Sequence, residues 1–154
     1  MGLRMILGLA CALTSLSVSA QASYRIDDSG SQVLGGPLRL KPITPMPRGE
    51  LATAVFGQTR VLVRLDTAPW KGRRGRIYMT LPQDAHSQVV ATWNTQGRLL
   101  PGTLRSGERT LVYAGPIDAD TLEDTLRLSI QADGRELARG ERLAFSFEID
   151  LDAP

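Results

Sequence analysis

The segment TAPWKGRRGRIYMTLP (residues 67–82) brings together side chains that are suited to binding an anion. It contains one tryptophan and four cationic residues: Trp70, Lys71, Arg73, Arg74 and Arg76. Guanidinium groups bind sulfate and phosphate through paired hydrogen bonds, and an indole ring stacks on a sugar or a base. One aromatic residue beside one cluster falls short of the repeated stacking platforms that bind single-stranded nucleic acid. The simpler interpretation is a solvated basic turn, and the alternative is a ligand loop formed by Trp70, Arg73 and Arg74.

Residues suited to catalysis or to metal binding do not converge in the sequence. The single histidine, His86, lies in a predicted loop with Asp84 and Ser87, and three neighbours on one loop lack the geometry of a hydrolase site. The acidic residues of 118–124 could hold calcium, but they lack the glycine and the distal glutamate of an EF-hand loop. A helical turn capped by Asp118 explains them more simply. The sequence therefore predicts no enzyme, no metal site and no cofactor.

The N-terminus predicts export. Residues 1–22 have Arg4 near the start, an apolar run over 5–13, and small residues that close on Ala22. The apolar run is shorter than the roughly 20 residues of a membrane span, so we expect no membrane insertion after cleavage. Cys11 is the only cysteine, and its removal would leave a mature chain without disulfides in the periplasm or at the cell surface.

The charge balance of the mature chain excludes a general attraction to nucleic acid. Removing Arg4 leaves 17 of the 18 basic residues against 16 acidic residues. A nearly neutral chain has no field that would concentrate a polyanion around it. No nucleic-acid partner is predicted.

Residues 23–49 are predicted to form an extended N-terminal segment. Prolines and glycines interrupt this part of the chain, so regular structure is limited to short strands. Within it, SQVLGGPLRL alternates between two faces. One of these faces is formed by Leu34, Gly36, Leu38 and Leu40.

Residues 50–154 are predicted to form one β-domain. Apolar and polar residues alternate along 60–66, 76–81, 125–132 and 143–151, which indicates antiparallel strands with one buried face. The first two strands are predicted to form a hairpin around the basic loop. Their shared core face would be formed by Val61, Val63, Leu65, Ile77, Met79 and Leu81.

About seven to nine short strands with no long helix predict an immunoglobulin-like antiparallel β-sandwich. A small closed β-barrel is the alternative, because an alternation of period two is common to both architectures. Residues 106–108 are predicted to form a hairpin turn. Trp93 has an inward register and is expected in the core.

The combination of an export signal, a disulfide-free β-domain and an alternating N-terminal segment resembles subunits of chaperone–usher pili, the cysteine-free kind. The matching residues are SQVLGGPLRL near the N-terminus and LAFSFEIDL (143–151) near the C-terminus. The resemblance implies a sandwich that lacks one strand, with Leu34, Gly36, Leu38 and Leu40 as the donor strand for a neighbouring subunit. It also implies other pilus subunits, a periplasmic chaperone and an outer-membrane usher as partners.

The same residues are also compatible with a different function. Residues 33–43 could instead be the first strand of a complete sandwich. The protein would then be a free-standing periplasmic or secreted module, acting in binding or as an accessory chaperone-like factor.

Overall fold

The structure, a computed structural model, describes residues 22–36, 38–43, 54–83, 88–137 and 144–153. Its strands are β1 (Ser23–Ile26), β2 (Gln32–Leu34), β3 (Lys41–Pro42), β4 (Ala54–Asp66), β5 (Arg74–Thr80), β6 (Val90–Asn94), β7 (Gly102–Arg105), β8 (Arg109–Pro116), β9 (Thr121–Asp133) and β10 (Ser146–Leu151). A 3-10 turn over Ala68–Trp70 and one helical turn, α1 (Gly134–Leu137), complete the described elements. No described helix has the length and apolar character needed to cross a bilayer.

The strands form two antiparallel sheets that face each other. Sheet A has the order β1-β10-β5-β8, and sheet B has the order β2-β4-β9-β6-β7, with β3 also paired to β4. Among the described strands, neither sheet closes on itself. The predicted β-sandwich is therefore confirmed, and the alternative of a closed barrel is wrong.

The core follows from the alternation of apolar residues along each strand. In β9, Leu126, Leu128 and Ile130 are buried and alternate with polar residues that are exposed or half-buried. Trp93 is 1% exposed, and its indole N–H donates a hydrogen bond to the carbonyl oxygen of Leu100 at 2.9 Å. The predicted core position of Trp93 is confirmed.

The hairpin predicted around the basic loop is wrong. All 13 residues of β4 pair with β9 in sheet B, whereas β5 lies in sheet A between β10 and β8. Of the six apolar residues assigned to the shared core face, Val61 is half-buried and the others are buried. Alternation identifies the face that a strand buries, but it does not identify the strand beside it. The two strands therefore contribute to one core from opposite sheets.

Two local predictions also differ from the structure. The helical turn predicted to start at Asp118 is wrong, because the chain bends at 119–120 and β9 begins at Thr121. The turn predicted at 106–108 is present, since the Glu108 N–H donates to the Arg105 carbonyl at 3.0 Å. The flanking strands β7 and β8 nevertheless join different sheets.

Several predicted features lie outside the described residues. These are residues 1–21 of the predicted signal, the boundary between the predicted N-terminal segment and the domain, and His86.

Candidate functional site

The N-terminal segment, defined here as residues 22–43, begins as an edge strand of sheet A. Its strand β1 runs antiparallel to β10, with Tyr24 opposite Ile149 and Ile26 opposite Phe147. Ile26 is 1% exposed, whereas the other three residues of β1 are exposed. Main-chain pairing and one buried side chain therefore attach β1 to the sandwich.

After β1 the segment crosses to the edge of sheet B. The Asp66 N–H donates to the Asp27 carbonyl at 2.9 Å, and the Arg64 N–H donates to Ser31 Oγ at 2.9 Å. The Ser29 N–H donates to the Asp27 carboxylate at 2.9 Å, and this hydrogen bond lowers the pKa of Asp27. These contacts fix the turn that brings the chain to β4.

Both short strands of the segment then pair with β4. Strand β2 pairs with residues 60–62, and β3 pairs with residues 55–56. Between these two strands the segment makes an excursion from the sheet edge: the described residues 35–36 and 38–40 have no ladder partner, while β4 continues through residues 57–59. Gly35 and Gly36 have φ values of +94° and +91°, which L side chains rarely adopt, and they permit the excursion. The segment is therefore one edge strand with a bulge-like interruption.

The interruption determines where the four predicted donor residues lie. Leu34 of β2 stands opposite Arg60 of β4, and Gly36 is exposed in the excursion. Leu38 and Leu40 are half-buried, and Leu38 packs against the core cluster. The four residues thus occupy one sheet edge, but the excursion divides Leu34 from the other two leucines.

Gly57 permits the close approach of this part of the segment. A Cβ atom at Gly57 would lie 2.8 Å from the Arg39 carbonyl oxygen, 2.8 Å from Leu40 Cδ2 and 3.0 Å from Leu38 Cδ1. Only glycine leaves room for that backbone. Sequence reasoning did not identify Gly57 as a contact residue, although a glycine inside a strand is a known signal for the close approach of another backbone.

Trp70, from the candidate ligand loop, contacts the N-terminal segment. Its ring centroid lies 6.4 Å from that of Tyr24 at an interplanar angle of 45°, and the ring packs against the core. Arg73 and Arg74 are exposed and make no side-chain ion pair or hydrogen bond with other described residues. The structure therefore separates the three residues, since Trp70 faces β1 and the two arginines face solvent.

The acidic residues of 118–124 are occupied by structural contacts. Three of them form ion pairs: Asp118 with Arg98 at 3.0 Å, Asp120 with Lys71 at 2.9 Å, and Glu123 with Arg64 at 2.8 Å. The fourth, Asp124, accepts hydrogen bonds from Thr95 Oγ1 at 2.8 Å and from the Leu99 N–H at 2.9 Å. The hydrogen bond from Arg98 lowers the pKa of Asp118 below its usual value. Each of these carboxylates therefore connects two parts of the chain that are distant in sequence.

Comparisons with protein-family models, with curated proteins and with solved structures found no match. The functional argument therefore depends on the geometry of the N-terminal segment and of the sheet edges that it covers.

Proposed function

We propose that the chain is an exported structural subunit of a surface pilus, assembled when its N-terminal segment is added to the sandwich of a neighbouring copy. The observation that supports this proposal is the placement of one continuous N-terminal segment. It supplies the edge strand beside β10 in sheet A and the edge strand beside β4 in sheet B.

The energetics of this placement suit exchange between copies. Main-chain hydrogen bonds attach β1, β2 and β3, and such bonds form equally well with an identical segment from a second chain. Among its described residues, the segment contributes the fully buried side chain of Ile26 and the half-buried side chain of Leu38 to the core cluster. A second copy of the segment would therefore restore the same interior.

Exchange in one direction produces a filament. A segment donated to the next subunit makes a head-to-tail contact, and such contacts continue into an open fibre when they do not close a ring. The predicted partners of this function are other pilus subunits, a periplasmic chaperone and an outer-membrane usher. The chaperone would cover the β4 and β10 edges until a donor segment arrives.

A free-standing periplasmic or secreted module is the second candidate. It is favoured by the pairing of β2 and β3 with β4 of their own chain, which completes sheet B without a partner. The two candidates differ in whether the segment docks on its own sandwich or on another.

A cysteine pair between β1 and β10 distinguishes these candidates. Arg25 stands opposite Glu148, and facing residues of antiparallel strands are close enough for a disulfide. The predicted mature chain has no other cysteine. We expect Arg25→Cys/Glu148→Cys protein, sheared from the surface of cells that export it, to give a ladder of disulfide-linked multimers on a non-reducing gel.

The matched control is Gln58→Cys/Ser129→Cys, which joins β4 to β9 within one sandwich. It should migrate as a monomer whether or not the segment is exchanged. If the Arg25→Cys/Glu148→Cys protein also contains only internal disulfides, the pilus proposal is wrong and the free-standing module is supported.

A further inference from the structure

Two arginines face each other on the outer surface of sheet B. Arg60 of β4 stands directly opposite Arg127 of β9, and Asn94 of β6 stands opposite Arg127 on its other side. All three side chains are exposed. Facing residues on antiparallel strands have Cβ atoms about 5 Å apart, and like charges placed there destabilise a sheet.

No acidic side chain in the described structure neutralises this pair. The neighbouring Glu123 is bound to Arg64 at 2.8 Å. Asp124 is 8% exposed, and its carboxylate is held by Thr95 and Leu99. Arg60 and Arg127 make no ion pair or side-chain hydrogen bond with other described residues. The guanidinium groups of Arg60 and Arg127 are therefore available to an external anion.

A loop held by hydrogen bonds forms one wall beside the two arginines. Residues 95–97 follow β6, and the buried Asp124 carboxylate binds the loop at Thr95 Oγ1 and at the Leu99 N–H. A Cβ atom at Gly97 would lie 2.5 Å from Asp124 Oδ1, so the loop is packed directly on the carboxylate. Together with the exposed faces of β4 and β9, this wall borders a concave surface that holds a volume of about 600 Å³.

We propose that Arg60 and Arg127 bind the oxyanion of an acidic saccharide in this concave surface. Guanidinium groups bind carboxylate and sulfate through two parallel hydrogen bonds. Asn94, Gln96 and Thr125 also line the surface, and their amide and hydroxyl groups suit the hydroxyl groups of a sugar. Two carboxylates line it as well, but that of Glu123 is bound to Arg64 and that of Asp124 to the 95–99 loop.

The surroundings favour a saccharide over a nucleic acid. No aromatic side chain among the described residues lines the concave surface, so a nucleic-acid base would find no ring there on which to stack. Two arginines match one oxyanion better than the repeated charges of a long polyanion. This proposal concerns the outer face of sheet B, and it does not depend on exchange of the N-terminal segment.

The test is calorimetric titration of the predicted mature chain (residues 23–154) with three short oligosaccharides of matched length. One carries uronic acid carboxylates, one carries sulfates and one is neutral. We expect binding of the carboxylated or the sulfated saccharide, and the arm that binds identifies the oxyanion. Arg60→Gln/Arg127→Gln should weaken that binding at least about tenfold, because charge-assisted hydrogen bonds are lost.

The matched control is Arg73→Gln/Arg74→Gln, which removes the same charge from another exposed surface. Its binding should equal that of the wild type. The Arg60→Gln/Arg127→Gln protein should melt at the wild-type temperature or above it, because a like-charge contact is removed. The proposal is overturned by equal losses in both double variants, by equal binding of the neutral saccharide, or by no binding at about 10 mM saccharide.

Discussion

Ile26 and Trp70 show how single residues attach the N-terminal segment to the sandwich. Ile26 is fully buried at the end of β1, and Trp70 lies against Tyr24 of the same strand. The tryptophan that the sequence offered for ligand stacking is instead in contact with the protein itself. A local pattern shows that an aromatic ring is near basic residues, but it does not show which distant strand will cover the ring.

Arg73 and Arg74 provide a test of this assignment at the residue scale. Their side chains are exposed, while the loop backbone is held by hydrogen bonds of 2.8 Å between Gly72 or Arg73 and Ile117. We expect Arg73→Ser/Arg74→Ser to change the free energy of unfolding by no more than about 0.5 kcal/mol, as for other exposed sites. Urea denaturation measures this change. A loss above about 2 kcal/mol would mean that the side chains are packed.

Asp118 illustrates a residue whose role could not be predicted from its neighbours. The sequence favoured a helix cap, which needs only the next three residues. In the structure Asp118 pairs with Arg98, which is 20 residues away in the chain. The sandwich brings these residues together through long-range strand pairing, and no short sequence pattern contains that information.

At the scale of elements, the sequence predicts the strands better than it predicts their partners. The alternation in 60–66, 76–81 and 125–132 correctly identifies strands and their buried faces. It does not predict that β4 and β5 belong to different sheets, because short separation in sequence favours a hairpin. Nor does it predict the excursion between β2 and β3, since strict alternation assumes an uninterrupted strand.

Gly57→Ala tests the docking of the N-terminal segment on β4. The added methyl group would meet the Arg39 carbonyl and the leucine side chains above it, so the segment must move outward. We expect a loss of about 1–3 kcal/mol in the free energy of unfolding. Amide hydrogen exchange should also become faster in residues 38–43, because this part of the segment would open more often.

The matched control for this change is Gly30→Ala in the same segment. The three atoms nearest to its methyl group would all belong to the side chain of the exposed Arg64, which can shift. Urea denaturation and hydrogen exchange should therefore give nearly wild-type values for Gly30→Ala. Equal behaviour of the two alanine variants would contradict the docked position of residues 38–40.

At the scale of the whole molecule, one segment covers an edge of each of the two sheets. Release of residues 22–43 would expose the β10 edge and the β4 edge together. Exposed edges readily add another strand, so release of the segment and assembly are linked. The predicted mature chain has no disulfide that would fix the segment in place. This arrangement makes the attachment of the segment the property that decides between a monomer and a polymer.

The most direct test supplies the segment from outside the chain. The mature chain carrying Ile26→Asp/Leu38→Asp has a disabled segment of its own, because charges replace both core contacts. Its melting temperature is then measured with a peptide covering residues 22–43, and with the same peptide carrying both substitutions as the control. We predict that the wild-type peptide raises the melting temperature saturably by about 4 °C or more, while the control peptide has no effect. An equal melting temperature with both peptides would contradict strand addition.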